Sequence, residues 1–64
     1  MKLEPFDRNK VKAGDRMVMA QFHSVDLIFK FMGHDGDVVA TLDGPGPPRD
    51  VIFRQRDVLM EVAE

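Results

Sequence analysis

Asp35 and Gly36 stand between two apolar runs, Leu27 to Met32 and Val38 to Leu42, and an Asp-Gly pair in that setting is a strong signal for a β-hairpin. If these two residues alone form the loop, His34 faces Asp37, Met32 faces Val39, Phe31 faces Ala40, Lys30 faces Thr41 and Phe29 faces Leu42. Residues directly opposite share a face. The register gathers Leu27, Phe29, Phe31, Val38, Ala40 and Leu42 on one side, while Ile28, Lys30, Met32, Val39 and Thr41 take the other. A slip of one residue would set Lys30 and Thr41 among the core side chains, so turn and pattern agree on one pairing. Gly36 is expected to take a positive φ.

The flanking segments read as further short strands. Residues 1–10 hold Pro5 and lack periodicity, which predicts an extended arm whose Leu3 and Phe6 pack over an open end of the core. After a turn at Val11 to Asp15, Arg16 to His23 alternates, with Val18, Ala20 and Phe22 inward and Met17, Met19, Gln21 and His23 outward. His23 to Asp26 turns into the hairpin. Gly44-Pro45-Gly46-Pro47-Pro48-Arg49 is a loop, since its prolines lack backbone donors and its glycines permit positive φ. Asp50 to Arg54 is a strand with Val51 and Phe53 inward, Gln55 to Asp57 a tight turn compatible with one turn of 3₁₀ helix, and Val58 to Val62 a strand with Val58, Met60 and Val62 inward.

One helical alternative competes. Val18, Phe22, Val25, Phe29 and Met32 also form a helical stripe, with Asp15 as N-cap and Gly33 as C-cap, which would give an α+β domain with a helix over 16–32. That helix would rob Val38 to Leu42 of its best partner strand, so the strand reading is preferred. The expected fold is all-β, a small five-stranded antiparallel barrel over residues 11–64 preceded by the arm at 1–10.

Val-Lys-Ala-Gly-Asp-Arg-Met-Val at 11–18, Asp-Gly-Asp-Val-Val at 35–39, and Val-Ile-Phe followed by Asp-Val-Leu-Met-Glu-Val within 51–62 resemble the strand signposts of SH3-like barrels. The likeness is to the small SH3-like component of photosystem I and to small bacterial proteins of the same superfold. It implies a barrel fold and carries no activity with it. The peptide groove of SH3 domains is built from Tyr and Trp, and this chain has neither, so Pro-rich peptide binding is not expected.

At 64 residues the chain is one domain near the lower limit for a self-sufficient core. With no Cys, disulfides, thiolate zinc sites and Cys nucleophiles are excluded, and oligomerisation or a partner becomes the natural source of extra stability. The composition, 44% hydrophobic and 31% charged, is that of a folded protein. A net charge of −2 is unlike the basic excess of dedicated nucleic-acid binders. With no apolar leader and no long apolar run, a cytoplasmic protein without a membrane span is expected.

Four clusters bear on chemistry. His34, Asp35 and Asp37 gather an imidazole and two carboxylates, but Asp-Gly is what the turn itself demands, and only His23 or Asp26 would bring further metal ligands. No metal or cofactor is expected. His23, Ser24 and Asp26 offer triad residue types, yet neighbours in a turn point apart, so no catalytic residue is assigned and the chain is not expected to be an enzyme. An active site shared between protomers is the remaining enzymatic reading. Arg8, Lys10, Lys12, Arg16, Arg49, Arg54 and Arg56 would make a basic strip for single-stranded nucleic acid, but all five aromatics are Phe and at least three belong to the core face, which leaves no stacking platform. Pro45, Pro47, Pro48 and Arg49 present a candidate docking loop for another protein.

Alternation sends Met17, Met19, Ile28, Met32, Val39, Ile52 and Leu59 to the outer face. So many large apolar side chains on one surface predict self-association, a two-fold dimer first, with Met32 and Val39 near its centre and Lys30 at the rim. The functional expectation is a non-catalytic protein-binding or assembly module.

Overall fold

The computed structural model describes residues 2–62; position 1 of the expected arm and positions 63 and 64 of the expected domain lie outside it. Six strands follow in order: β1 (Lys2–Pro5), β2 (Arg16–Met19), β3 (Asp26–Met32), β4 (Val38–Asp43), β5 (Arg49–Phe53) and, after a 3₁₀ turn at Gln55–Asp57, β6 (Val58–Val62). They form one antiparallel sheet in the order β1-β6-β2-β3-β4-β5. The fold is all-β, and the helix considered for 16–32 is absent: Met17 pairs with Leu27 where a helix would have kept the two on one rod. β1 and β5 stand at the ends without pairing to each other, so the sheet is open rather than closed.

Two expectations about the hairpin are corrected. The loop has three residues, His34, Asp35 and Gly36: Gly33 N–H donates to the Asp37 carbonyl (2.8 Å) and Gly36 N–H to the Gly33 carbonyl (3.1 Å). Gly36 takes φ +81°, the left-handed residue with which a three-residue hairpin loop ends. Pairing therefore begins at Met32 opposite Val38 and Phe31 opposite Val39. A bulge between Phe29 and Phe31 then shifts the register again, to Phe29 opposite Ala40 and Leu27 opposite Leu42. Two residues, Lys30 and Phe31, oppose one, which reverses the alternation beyond them. Phe31 is carried outward, 53% exposed, and Met32 is carried in against the core.

A further correction concerns β2. Met17 is fully buried and sits between Leu27 on β3 and Met60 on β6 in one inward row. Met19 also packs inward, while Val18 is buried on the other side of the strand. A strand covered on both sides reads as an unbroken apolar run, so Met17-Val18-Met19 carries no alternation to choose a face by. β2 is also shorter than Arg16 to His23. Ala20 N–H donates to the Asp57 carbonyl (2.9 Å) and Phe22 N–H back to Met19 (3.2 Å), which turns the chain and leaves Phe22 exposed.

The core gathers Met17, Leu27, Phe29, Val38, Ala40 and Val58, with Met32, Val51 and Phe53 packed around it. The expected arm contributes a sixth strand, β1, paired with β6 from Lys2 opposite Val62 to Pro5 opposite Leu59. Phe6 follows, packs against the core and places its ring 6.0 Å from that of Phe29. Gln55, in the 3₁₀ turn, donates from Nε2 to the Gly36 carbonyl (2.8 Å) and ties the hairpin tip to the start of β6.

Two stability measurements check this arrangement. In denaturant unfolding, Met17→Ala should cost about 2–5 kcal/mol, the usual loss for a buried Met, whereas Ile52→Ala on the outer surface should stay within roughly 0.5 kcal/mol. A Met17 variant as mild as the Ile52 one would return Met17 to the surface. At Gly36, where an added Cβ meets nothing closer than Gln55 Nε2 at 3.7 Å, the strain of substitution is conformational and not steric. Gly36→Val should lose more than about 1 kcal/mol and Gly36→Asn clearly less, since Asn tolerates positive φ and a β-branched residue does not.

Candidate functional site

The outer face of β3, β4 and β5 carries an apolar row produced by register. Phe31 stands opposite Val39, and Val39 opposite Ile52, so three strands contribute one side chain each to a line across the sheet. Ile52, 68% exposed, ends the row on β5, which among the described residues has β4 on one side and no strand on the other. The row borders a shallow groove of about 360 Å³ whose far wall is the hairpin loop, Gly33 to Asp35, with Asp37. The lining is mainly apolar, and its polar groups are those of the turn.

A polar row runs beside it. Asp50 on β5 accepts from Lys30 Nζ (3.0 Å) and from the Thr41 hydroxyl (3.1 Å), each side chain coming from a different strand. These two hydrogen bonds, Lys30 first, hold the exposed Asp50 carboxyl below the ordinary aspartate range. On the same face Arg16 pairs with Asp43 at 3.1 Å.

Of the residues assigned to the outer surface, Ile28, Val39 and Leu59 are half-buried and Ile52 exposed, whereas Met17, Met19 and Met32 belong to the core side. The bulge is the reason for Met32, and the two-sided burial of β2 for Met17 and Met19. Phe31, expected in the core, takes the outward place instead. No alternation rule finds it, since a bulge is the very thing that breaks alternation.

Pro45, Pro47 and Pro48 lie exposed in the loop between β4 and β5, bent at Gly46 (φ +99°), and Arg49 opens β5. His23 and Ser24 occupy the turn before β3, while His34 and Asp37 lie beyond its other end. A seven-residue strand separates the two groups by roughly 20 Å at about 3.3 Å per residue, so they do not converge on one centre. Among the described residues no three His, Asp or Glu side chains gather as metal ligands would. A second groove, of about 300 Å³, is lined by Glu4, Asp15 and Glu61 together with Lys10 and Arg16, so its charges largely cancel. Lys10 leans on Glu4 at 3.9 Å, as Lys2 does at 3.8 Å, which partly neutralises Lys10, one of the residues weighed for a basic strip. Among the described residues no helix is long and apolar enough to cross a membrane.

Compared with family models, with curated proteins and with solved structures, the chain matches none.

Asp50 sets a pH signature. Its carboxyl titrates lower folded than unfolded, so its contribution to stability is complete above the ordinary aspartate range and is lost as pH falls through the depressed folded value. The melting temperature of wild type should exceed that of Asp50→Asn near neutrality, with the difference shrinking on acidification below the aspartate range. A difference that is constant with pH would show that Lys30 and Thr41 do not favour the ionised form.

Proposed function

We propose that this chain is a small non-catalytic assembly module, an SH3-like domain that associates with protein through the β5 side of its outer face, and first with further copies of itself. The carrying observation is the row of Phe31, Val39 and Ile52, which crosses three strands and ends on a strand with no outer neighbour. Large apolar side chains lined up beside an unpaired edge are the materials of an interface. The SH3-like reading is supported by the meander of β2 to β5, the one-turn 3₁₀ break and the return of β6 to pair with β2. β1 extends that plan at the far edge.

A domain of this size also has reason to associate. Its chain buries a smaller fraction of its surface than larger folds do, so contacts between copies add a larger share of its stability. Shallow grooves and the separation of the His and Asp groups speak for binding rather than chemistry.

Light scattering over a range of micromolar concentrations tests the reading. The wild-type mass should rise with concentration above that of one chain, and Ile52→Lys should return it to the monomer without changing the circular dichroism spectrum. A wild type that stays monomeric throughout overturns self-association.

A further inference from the structure

The two edges of the sheet differ in a way that bears on how copies would join. β1 is four residues long, ends on Pro5 and carries Lys2 and Glu4, all devices that blunt an edge against pairing. β5 is five residues long, contains no Pro, and holds three apolar residues in succession, Val51, Ile52 and Phe53. Arg54 continues it in extended conformation, φ −76° and ψ 150°.

Resting on the proposed self-association, we infer that β5 pairs antiparallel with β5 of a second copy about a two-fold axis at Ile52. Among the possible registers, this one follows from charge and face together. Centring the axis on Ile52 sets Ile52 against its twin, Val51 against Phe53, and Asp50 against Arg54 on both sides of the axis. Asp50 lies on the outer face opposite Thr41, Ile52 opposite Val39, and Arg54 two positions further along, so each carboxylate meets a guanidinium on its own face. Moving the axis by half a position, between Val51 and Ile52, sets Arg49 against Arg54 and Asp50 against Phe53. Centring it on Val51 sets Asp50 against Ile52. Neither offers a charge pair.

Arg54 takes part in none of the ion pairs found among the described residues. Asp50 is held in place by Lys30 and Thr41 and has carboxylate lone pairs to spare. The pairing would extend the row to Phe31, Val39, Ile52 and their three counterparts, one apolar strip across two copies. The contact is small: one strand pair buries well under the roughly 800 Å² per partner of a standard interface, so the dimer should be weak, with Kd on the order of micromolar or above.

Charge exchange tests the register. Asp50→Arg alone sets Arg against Arg across the axis, and Arg54→Asp alone sets Asp against Asp, so each variant should sediment as a monomer where wild type is dimeric. Mixed in equal amounts the two restore both opposite-charge pairs, and the dimer should return as a mixed species. Asp50→Arg also breaks the contacts to Lys30 and Thr41, so Arg54→Asp, which breaks none of these, carries the test by itself if the other variant fails to fold. Phe31→Glu should leave the edge-paired dimer intact, because Phe31 lies two strands inside the edge. If Arg54→Asp stays dimeric while Phe31→Glu becomes monomeric, the copies pack face to face; the inference falls and self-association stands. Single variants that dissociate but do not recombine when mixed overturn the register, and a monomeric wild type overturns both readings.

Discussion

Phe29 and Phe31 compete for one interior, and the bulge between them decides the rest of the sheet. Phe29 lies opposite Ala40, with the Phe6 ring packed 6.0 Å from its own. Regular alternation would point Phe31 inward beside it. Inserting one residue turns Phe31 out and Met32 in, exchanging a rigid ring for a flexible thioether chain that packs against the core opposite Val38. The same insertion places Phe31 opposite Val39. One backbone irregularity thus completes the core and creates the outer apolar row.

The hairpin was legible because its signals are local: Asp35-Gly36 between apolar runs requires a turn, and Gly36 has the positive φ such a turn calls for. Its register was not, because loops of two and three residues draw on the same residue types and differ in whether His34 joins the loop. Ile28, Val39, Ile52 and Leu59 could be assigned outward because polar neighbours mark their alternation or their strands run regularly. Met17, Met19 and Met32 could not. The first two sit in an unbroken apolar run, and the third lies beyond a bulge that no local residue pattern marks. β1 is not legible in the sequence for another reason: a four-residue edge strand ending in Pro has little pattern of its own, and its pairing is dictated by the open edge of β6.

Long-range ties give the hairpin its fixed position. Gln55 reaches from the 3₁₀ turn to the Gly36 carbonyl, so the tip of β3 and β4 is held by the segment that leads into β6. Gly14 N–H and the Asp15 carbonyl bond the backbone of Phe29, each at 2.9 Å, which anchors the residue just before the bulge to the start of β2. With Phe29 held on one side and the tip on the other, the irregularity is confined to Lys30 and Phe31. The outer row therefore stands beside backbone tied by long-range hydrogen bonds, which reduces the backbone freedom that contact would otherwise cost.

Electrostatics acts here through placement and not through net charge. Asp50 draws Lys30 and Thr41 across β4 to β5, fastening the last strand from its outer face while leaving its outer edge without a partner strand. Arg49 opens that strand, Arg54 follows it, and the Pro-rich loop leads into it. Charges at the ends of an edge strand discourage indiscriminate pairing, because most registers bring like charges together or leave a charge against an apolar side chain. They discourage least a register such as the one centred on Ile52, in which opposite charges meet on one face. An edge patterned in this way is selective rather than inert, and the difference from β1, closed by Pro5, lies in the backbone donors that β5 retains.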